Sequence, residues 1–365
     1  MTSLPEDTIL EGTLREGLYA DHPDVLSTLA AWTGRAYLHE EDSRVEVVLV
    51  YQLKAREAAR FPWVHFVLFA LTLLTTLGSG AMLDGVDPFR TAFLDIGSAR
   101  IPYPTWIDFG ALSAGALFAL PFLGVLLAHE MAHYVAARSH GVRASLPYFI
   151  PFPPYYSVIG SLGAFIRLRG PSVRRSVLFD IGSSGPFASF LVSIPLVIYG
   201  FGQSRILPGG HPPGTPYLVT FFDQPVWLGS SLATRVLAGW AGLDPGATGA
   251  VLLHPLALVG WLGLFVTALN LLPLGQLDGG HVVYAYRPKV QRLVGRLFLL
   301  SLGALGFLWW GWWAWAALVL FLHRGGVGHP PLLQSEAPLG RRRQVLAWVL
   351  FGIFLCTFVT VPIQL

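Results

Sequence analysis

Residues 61–83 run for 23 positions without an Asp, Glu, Lys or Arg. At 1.5 Å per residue such a helix covers the ~30 Å of bilayer hydrocarbon, and a run of this kind limits the fold more than any other feature of the chain. Further apolar runs follow at 109–141, 176–200, 254–272, 290–323 and 346–361. Charged residues make up only 12% of the 365-residue chain, about half the fraction of a soluble domain, so a soluble globule is excluded. The pattern reads as a polytopic α-helical membrane protein with about seven transmembrane helices. Residues 290–323 read either as one long helix or as a hairpin turning near 303–306. The arginines at 341–343 favour the hairpin, because only then does that triplet fall on the cytoplasmic side.

The basic residues fix the expected orientation. Lys54, Arg56 and Arg60 precede the first span, and Arg138 and Arg143 flank the end of the second. Both are expected in the cytoplasm, with 84–108 outside. An excess of three basic residues, scattered along the chain, is too little for a nucleic-acid footprint. Cys356 is the only cysteine, which leaves neither a disulfide nor a thiolate metal site. Lys54 and Lys289 are the only lysines against an arginine-rich remainder, a usage that points to a GC-rich prokaryote, and the chain is expected in its inner membrane. Residues 1–60 are polar and mixed, are read as holding no signal peptide, and form a small cytoplasmic α+β module. Strands are expected at 9–15, 35–39 and 44–52 and a helix at 23–33. The division is therefore 1–60 and a membrane-embedded domain 61–365, with its core at 109–290.

Inside the second span lies His129-Glu130-x-x-His133. Four residues apart on a helix, His129 and His133 project from one face and can share a metal ion. Glu130 is placed to exchange a proton with a water there. Three ionisable groups at membrane depth are costly, which favours a functional reading over buried, inert side chains. Residues 144–171 (from SLPYFIPFPP to GSLGAFIRLRG) are too rich in proline for a helix, and 160–166 read as a short membrane-associated strand. Backbone of this kind must pack on protein or line a cavity, and its edge could take up an extended peptide. The third span contains Asp180, expected to pair with Arg174 or Arg175, and the small-residue stretch GSSGP at 182–186. Residues 201–253 read as an irregular external segment, too short for an inserted PDZ module. The fourth span breaks at Pro273, and Asp278 follows in a Gly-flanked turn, either an ordinary cap or a third ligand.

The pairing of HExxH with Asn270-x-x-Pro273-x-x-x-Leu277-Asp278-Gly279 resembles the site-2 protease family of intramembrane zinc metalloproteases, peptidase family M50, in the subgroup without a PDZ insertion. The resemblance covers about 109–290. It implies one Zn2+ per chain held by His129, His133 and Asp278, with Glu130 as general acid/base. It implies that Asn270 steadies the scissile carbonyl or its oxyanion, and that membrane proteins with a transmembrane segment are the substrates. Gly160, Ser161, Gly163 and His281 are candidate substrate contacts. Two other readings are a zinc-binding scaffold without proteolysis and an ion or proton transporter. The transporter predicts internal repeats, and none is visible.

Overall fold

In the computed structural model, the described residues are 2–4, 7–14, 18–19, 21–32, 35–41, 44–52, 63–97, 99–169, 174–243, 249–322, 327–329, 332 and 338–364. The N-terminal part forms an antiparallel sheet of β1 (Thr2–Leu4), β2 (Asp7–Thr13), β3 (Arg35–Glu41) and β4 (Arg44–Gln52), in the order β1-β2-β4-β3, with α1 (Pro23–Ala31) between β2 and β3. Strand β1 is additional to the three expected strands. The alternating, β-branched run of β4 gives it the central place, with β2 and β3 paired to either side.

Among the described residues, three stretches are long and apolar enough to cross a membrane: α2 (Trp63–Leu83), a 3-10 turn (Ala111–Gly115) continued by α3 (Ala116–Ser139), and α4 (Arg175–Gln203). Between α2 and α3 lies a hairpin of β5 (Ala92–Ile96) and β6 (Ala99–Tyr103). Helix α3 ends where Gly141 takes φ +72°, a left-handed stop that glycine adopts without strain. Between α3 and α4, β7 (Arg143–Ala144) pairs with β10 (Leu168–Arg169), and β8 (Tyr148–Pro151) pairs with β9 (Ser161–Phe165). The expected strand at 160–166 is thus present as one arm of a bulged hairpin packed against α2 and α3.

The described residues of 201–253, expected to be irregular, are largely regular. They supply β11 (Arg205–Pro208), β12 (Tyr217–Phe221), β13 (Gln224–Leu228), α5 (Leu232–Trp240) and β14 (Gly249–Leu252). The C-terminal β15 (Ile363–Gln364) completes a sheet ordered β11-β14-β12-β13-β15. The β12–β13 turn puts Phe222 and Asp223 at φ +51° and +58°, a primed hairpin turn lacking the Asn-Gly that would announce it in the sequence. The remaining pairings are long-range, so no local pattern revealed them. The Trp261 indole donates to the Gly229 carbonyl at 2.7 Å and ties this sheet to α6 (Pro255–Asn270).

Beyond α6 come α7 (Asp278–Tyr286), α8 (Pro288–Leu305), α9 (Gly311–Leu322) and α10 (Arg341–Thr357). Residues 290–322 therefore form two helices, broken at 306–310. Helices α3, α4 and α6 form the centre, and small residues let them approach closely. Gly200 lies against Ala257, Val197 against Gly260 and Ser193 against Gly263 along the α4–α6 seam. Where apolar matter surrounds the helices, such packing rather than hydrophobic exclusion holds them together.

Candidate active site

Helix α3 turns His129 and His133 toward α4, and α4 holds each imidazole by its far nitrogen. His133 Nδ1 lies 2.7 Å from the Ile181 carbonyl. A carbonyl only accepts, so Nδ1 carries the proton and the Nε2 lone pair faces inward. His129 Nδ1 lies 3.1 Å from the Ser189 hydroxyl, which itself donates within its own helix toward Gly185. Ser189 Oγ, which also meets Thr267 Oγ1 at 2.8 Å, keeps a lone pair that can accept from His129 Nδ1, the arrangement that gives the same tautomer.

Asp278 arrives from the other side as the first residue of α7, where a carboxylate is favoured by the helix dipole. The turn between α6 and α7 folds back so tightly that a side chain at Gly279 would strike the Leu271 carbonyl, and one at Gly280 the Gly275 carbonyl. The two glycines after the aspartate are thus what allow α7 to begin there. The carboxylate Oδ2 lies 3.2 Å from His129 Nε2 and 3.3 Å from His133 Nε2, and the two Nε2 atoms are 3.0 Å apart. One donor atom from each residue lies within 4.8 Å of the others, and both histidines are buried.

The donor set fits a metal ion. Two imidazole lone pairs and an anionic oxygen converge in a buried site, an arrangement that a cation in their midst stabilises. Two histidines and one carboxylate are a common hydrolytic zinc set. The Asn270 amide, at the end of α6, points its Nδ2 to within 3.2 Å of His129 Nε2. Glu130 is buried and lies about 100° further round α3, the helix against which β9 packs.

The candidate substrate contacts divide. Gly160, at φ +71°, gives its carbonyl to Thr75 Oγ1 at 2.7 Å, anchoring the hairpin to α2. Ser161 donates to the Ile150 carbonyl and accepts from Gly163 N–H, bracing the hairpin internally. Gly163, at φ +101°, has open space where a side chain would be. His281 stands outside the metal cluster, with its Nδ1 2.8 Å from His329 Nε2. Asp180 does not pair with Arg174 or Arg175. Its carboxylate takes two bonds from Arg343 on α10, at 2.7 and 2.8 Å, and one from His140 at 2.9 Å. The side chain of Arg175 turns instead to the carbonyls of Ala285 and Tyr286.

Sequence reasoning missed Ile181, Gly185, Ser189 and His329. The spacing of Gly182, Gly185 and Ser189 on one face of α4 was the available signal. A side chain at Gly185 would overlap the His133 ring, and one at Gly182 would meet His281.

Three long apolar helices around a buried two-histidine, one-carboxylate cluster define a membrane protein built to hold a metal. Its residues 117–300 match peptidase family M50, and the chain belongs to that family. It is 28% identical over 320 residues to the probable zinc metalloprotease EGY2, chloroplastic, of Oryza sativa subsp. indica, covering 87% of this chain and 54% of that protein. It is 32% identical over 226 residues to the Arabidopsis thaliana probable zinc metalloprotease EGY1, chloroplastic, covering 60% and 39%. With the Arabidopsis probable zinc metallopeptidase EGY3, chloroplastic, it shares 29% identity over 296 residues, covering 76% and 48%. The chain spans about half the length, or less, of these relatives. No solved structure matches it.

Proposed function

We propose that this protein is a zinc metalloendopeptidase that hydrolyses peptide bonds in or near transmembrane segments of other membrane proteins. The observation that carries the reading is the buried convergence of His129, His133 and Asp278 beside a carboxylate, Glu130, that is not one of the ligands. A scaffold or a structural metal site has no use for that fourth group.

His129, His133 and Asp278 would hold the zinc. When bound, zinc supplies Lewis-acid polarisation of a carbonyl and lowers the pKa of a water at the site. Glu130 takes a proton from the attacking water and returns it to the leaving amine. The Asn270 amide, directed into the same cluster, donates to the carbonyl oxygen as negative charge develops on it. A helical substrate has its backbone already bonded, so it must unwind before a carbonyl can reach the site. The β8–β9 hairpin is the candidate to hold the extended chain by strand addition, because β9 packs against α3, the helix that carries Glu130. Gly163 is the residue of that strand with room for a neighbour.

The same reading puts residues 1–60 on the cytoplasmic side as a separate module and 61–365 in the inner membrane of a prokaryote. It takes α2, α3, α4, α6 and α8–α10 as seven spans and opens the site toward the cytoplasm. The support is the basic residues at 54–60, 138–143 and 341–343. Helix α6, at 16 residues, reaches only ~24 Å, so it completes a crossing only with the turn that follows.

The test compares wild type with Glu130→Gln, both purified in detergent, for zinc by elemental analysis and for cleavage of a single-span reporter. Both should hold about one zinc per chain. Cleavage should fall by about 10²–10⁴ in the variant. Zinc in both with no cleavage by wild type supports the scaffold. No zinc in either overturns the site as drawn.

A further inference from the structure

Residues 327–329 lie across α7 and α8 and touch both sides of the turn that delivers Asp278. The Val327 carbonyl accepts from Gly275 N–H at 3.0 Å, three residues before Asp278. The same carbonyl accepts from Gln291 Nε2 at 3.0 Å. Gln291, fully buried on α8, uses its other end to accept from His329 N–H at 3.0 Å. His329 Nε2 then meets His281 Nδ1 at 2.8 Å, three residues after Asp278. The His329 ring stacks on Tyr284 with centroids 4.5 Å apart. His281 in turn rests against Gly182, next to the Ile181 carbonyl that holds His133.

We propose that residues 327–329, fixed by Gln291, are a strap that positions Asp278 against the two histidines, with His329 and Gln291 as positioning residues. The inference rests on reading Asp278 as a metal ligand. The argument is one of fixed points. Asp278 has one oxygen to hold at 3.2 and 3.3 Å from two imidazoles, and it stands at the start of a nine-residue helix after a turn containing Gly275 at φ +51°. A short helix after a glycine turn has little of its own to hold its register. The strap supplies a bond on each flank, one to backbone at Gly275 and one to side chain at His281. A buried amide engaged at both ends accepts one geometry only, so Gln291 sets the height of the strap over α8. Groups that orient metal ligands in this way commonly govern affinity by 10- to 100-fold.

The experiment measures zinc dissociation constants by chelator competition, and the visible spectrum of the Co2+-substituted protein, for the full chain in detergent. His329→Phe keeps the ring on Tyr284 but removes the nitrogen that meets His281, and His329→Gln restores a polar group at similar reach. Gln291→Met removes both bonds of the amide at nearly constant volume. Asp278→Asn is measured alongside. The expected result is a 10- to 100-fold weaker zinc affinity in His329→Phe and Gln291→Met, an altered Co2+ spectrum, and substantial recovery in His329→Gln. Thermal stability of the metal-free protein should change little for His329→Phe. If Asp278→Asn weakens zinc but His329→Phe and Gln291→Met bind it like wild type, the strap is overturned and the metal site stands. Lower metal-free stability at unchanged zinc affinity also overturns it, leaving a structural role only. If Asp278→Asn binds zinc like wild type, the ligand reading fails and the strap has nothing to position.

Discussion

Gly185→Ala is the substitution that tests the site most directly without touching any ligand. A methyl at this position would overlap Nε2, Cε1 and Cδ2 of His133. The imidazole is rigid and held at its far side by Ile181, so it cannot swing aside without losing that 2.7 Å bond. Overpacking of this kind costs about 1–3 kcal/mol, and the lost hydrogen bond about 0.5–1.5 kcal/mol. If the ring gives way rather than the helix, the two together, about 1.5–4.5 kcal/mol, appear as lost metal affinity. That is roughly a 10- to 2,000-fold rise in the zinc dissociation constant. The assay is chelator competition on the detergent-purified protein, with its circular dichroism and thermal midpoint recorded beside it. Gly202→Ala on the same helix is the control, because nothing lies near its added methyl and alanine is the better helix former. A Gly185→Ala protein that binds zinc and cleaves as wild type does would refute the placement of α4 against His133.

Three further outcomes follow from the same contacts. Ser189→Ala removes the acceptor for His129 Nδ1 and should weaken zinc by about 10- to 100-fold, read by the same competition, with little change in fold. Arg343→Gln breaks the two-pronged contact to Asp180 across the α4–α10 interface and should lower stability by about 1 kcal/mol in chemical denaturation. Its zinc affinity should equal that of wild type, since Asp180 lies outside the metal cluster. Gly163→Val forces a β-branched residue into φ +101° on the strand that packs against the helix carrying Glu130. Cleavage of a single-span reporter should fall while bound zinc stays constant, and unchanged cleavage would remove Gly163 from the substrate path.

The parts of the site legible in the sequence were those whose spacing is local. His129 and His133 share a face because they are four apart on one helix, and Glu130 follows from the same register. The break at Pro273 and the paired glycines after Asp278 marked a turn, and the structure shows what those glycines do: they let α7 start against the carbonyls of Leu271 and Gly275. What stayed hidden was held by contacts between distant segments. Ser189 is 60 residues from His129, and His329 is 48 from His281. Asp180 illustrates how proximity in sequence misleads. Arg174 and Arg175 are its neighbours in the chain, but Arg343 on a helix 163 residues away takes the carboxylate. The sheet at 205–252 escaped notice because its hairpin turns on Phe222-Asp223, a pair with no turn signature, and its parallel β12–β14 pairing depends on a long connection.

The contacts of α4 change what counts as the metal site. Ile181 holds His133 by a carbonyl, Gly185 leaves room for its ring, Ser189 holds His129, and Gly182 receives His281 one turn after Asp278. These positions fall on one face of one helix, with residues 182, 185 and 189 spaced three and four apart. The spacing of HExxH fixes the two histidines relative to each other but says nothing about where they stand relative to Asp278, which lies on another helix. Helix α4 touches both α3 and α7 and so sets that third distance. Small residues there would be needed for close packing in any membrane bundle. Here the same stripe also gives each imidazole its proton acceptor and its clearance, so a bulkier residue at 182 or 185 should disturb metal binding before it disturbs the fold. On the proposed reading, the GSSGP stretch is therefore as much a part of the candidate metal centre as HExxH or LDGGH, although it offers no donor atom to it.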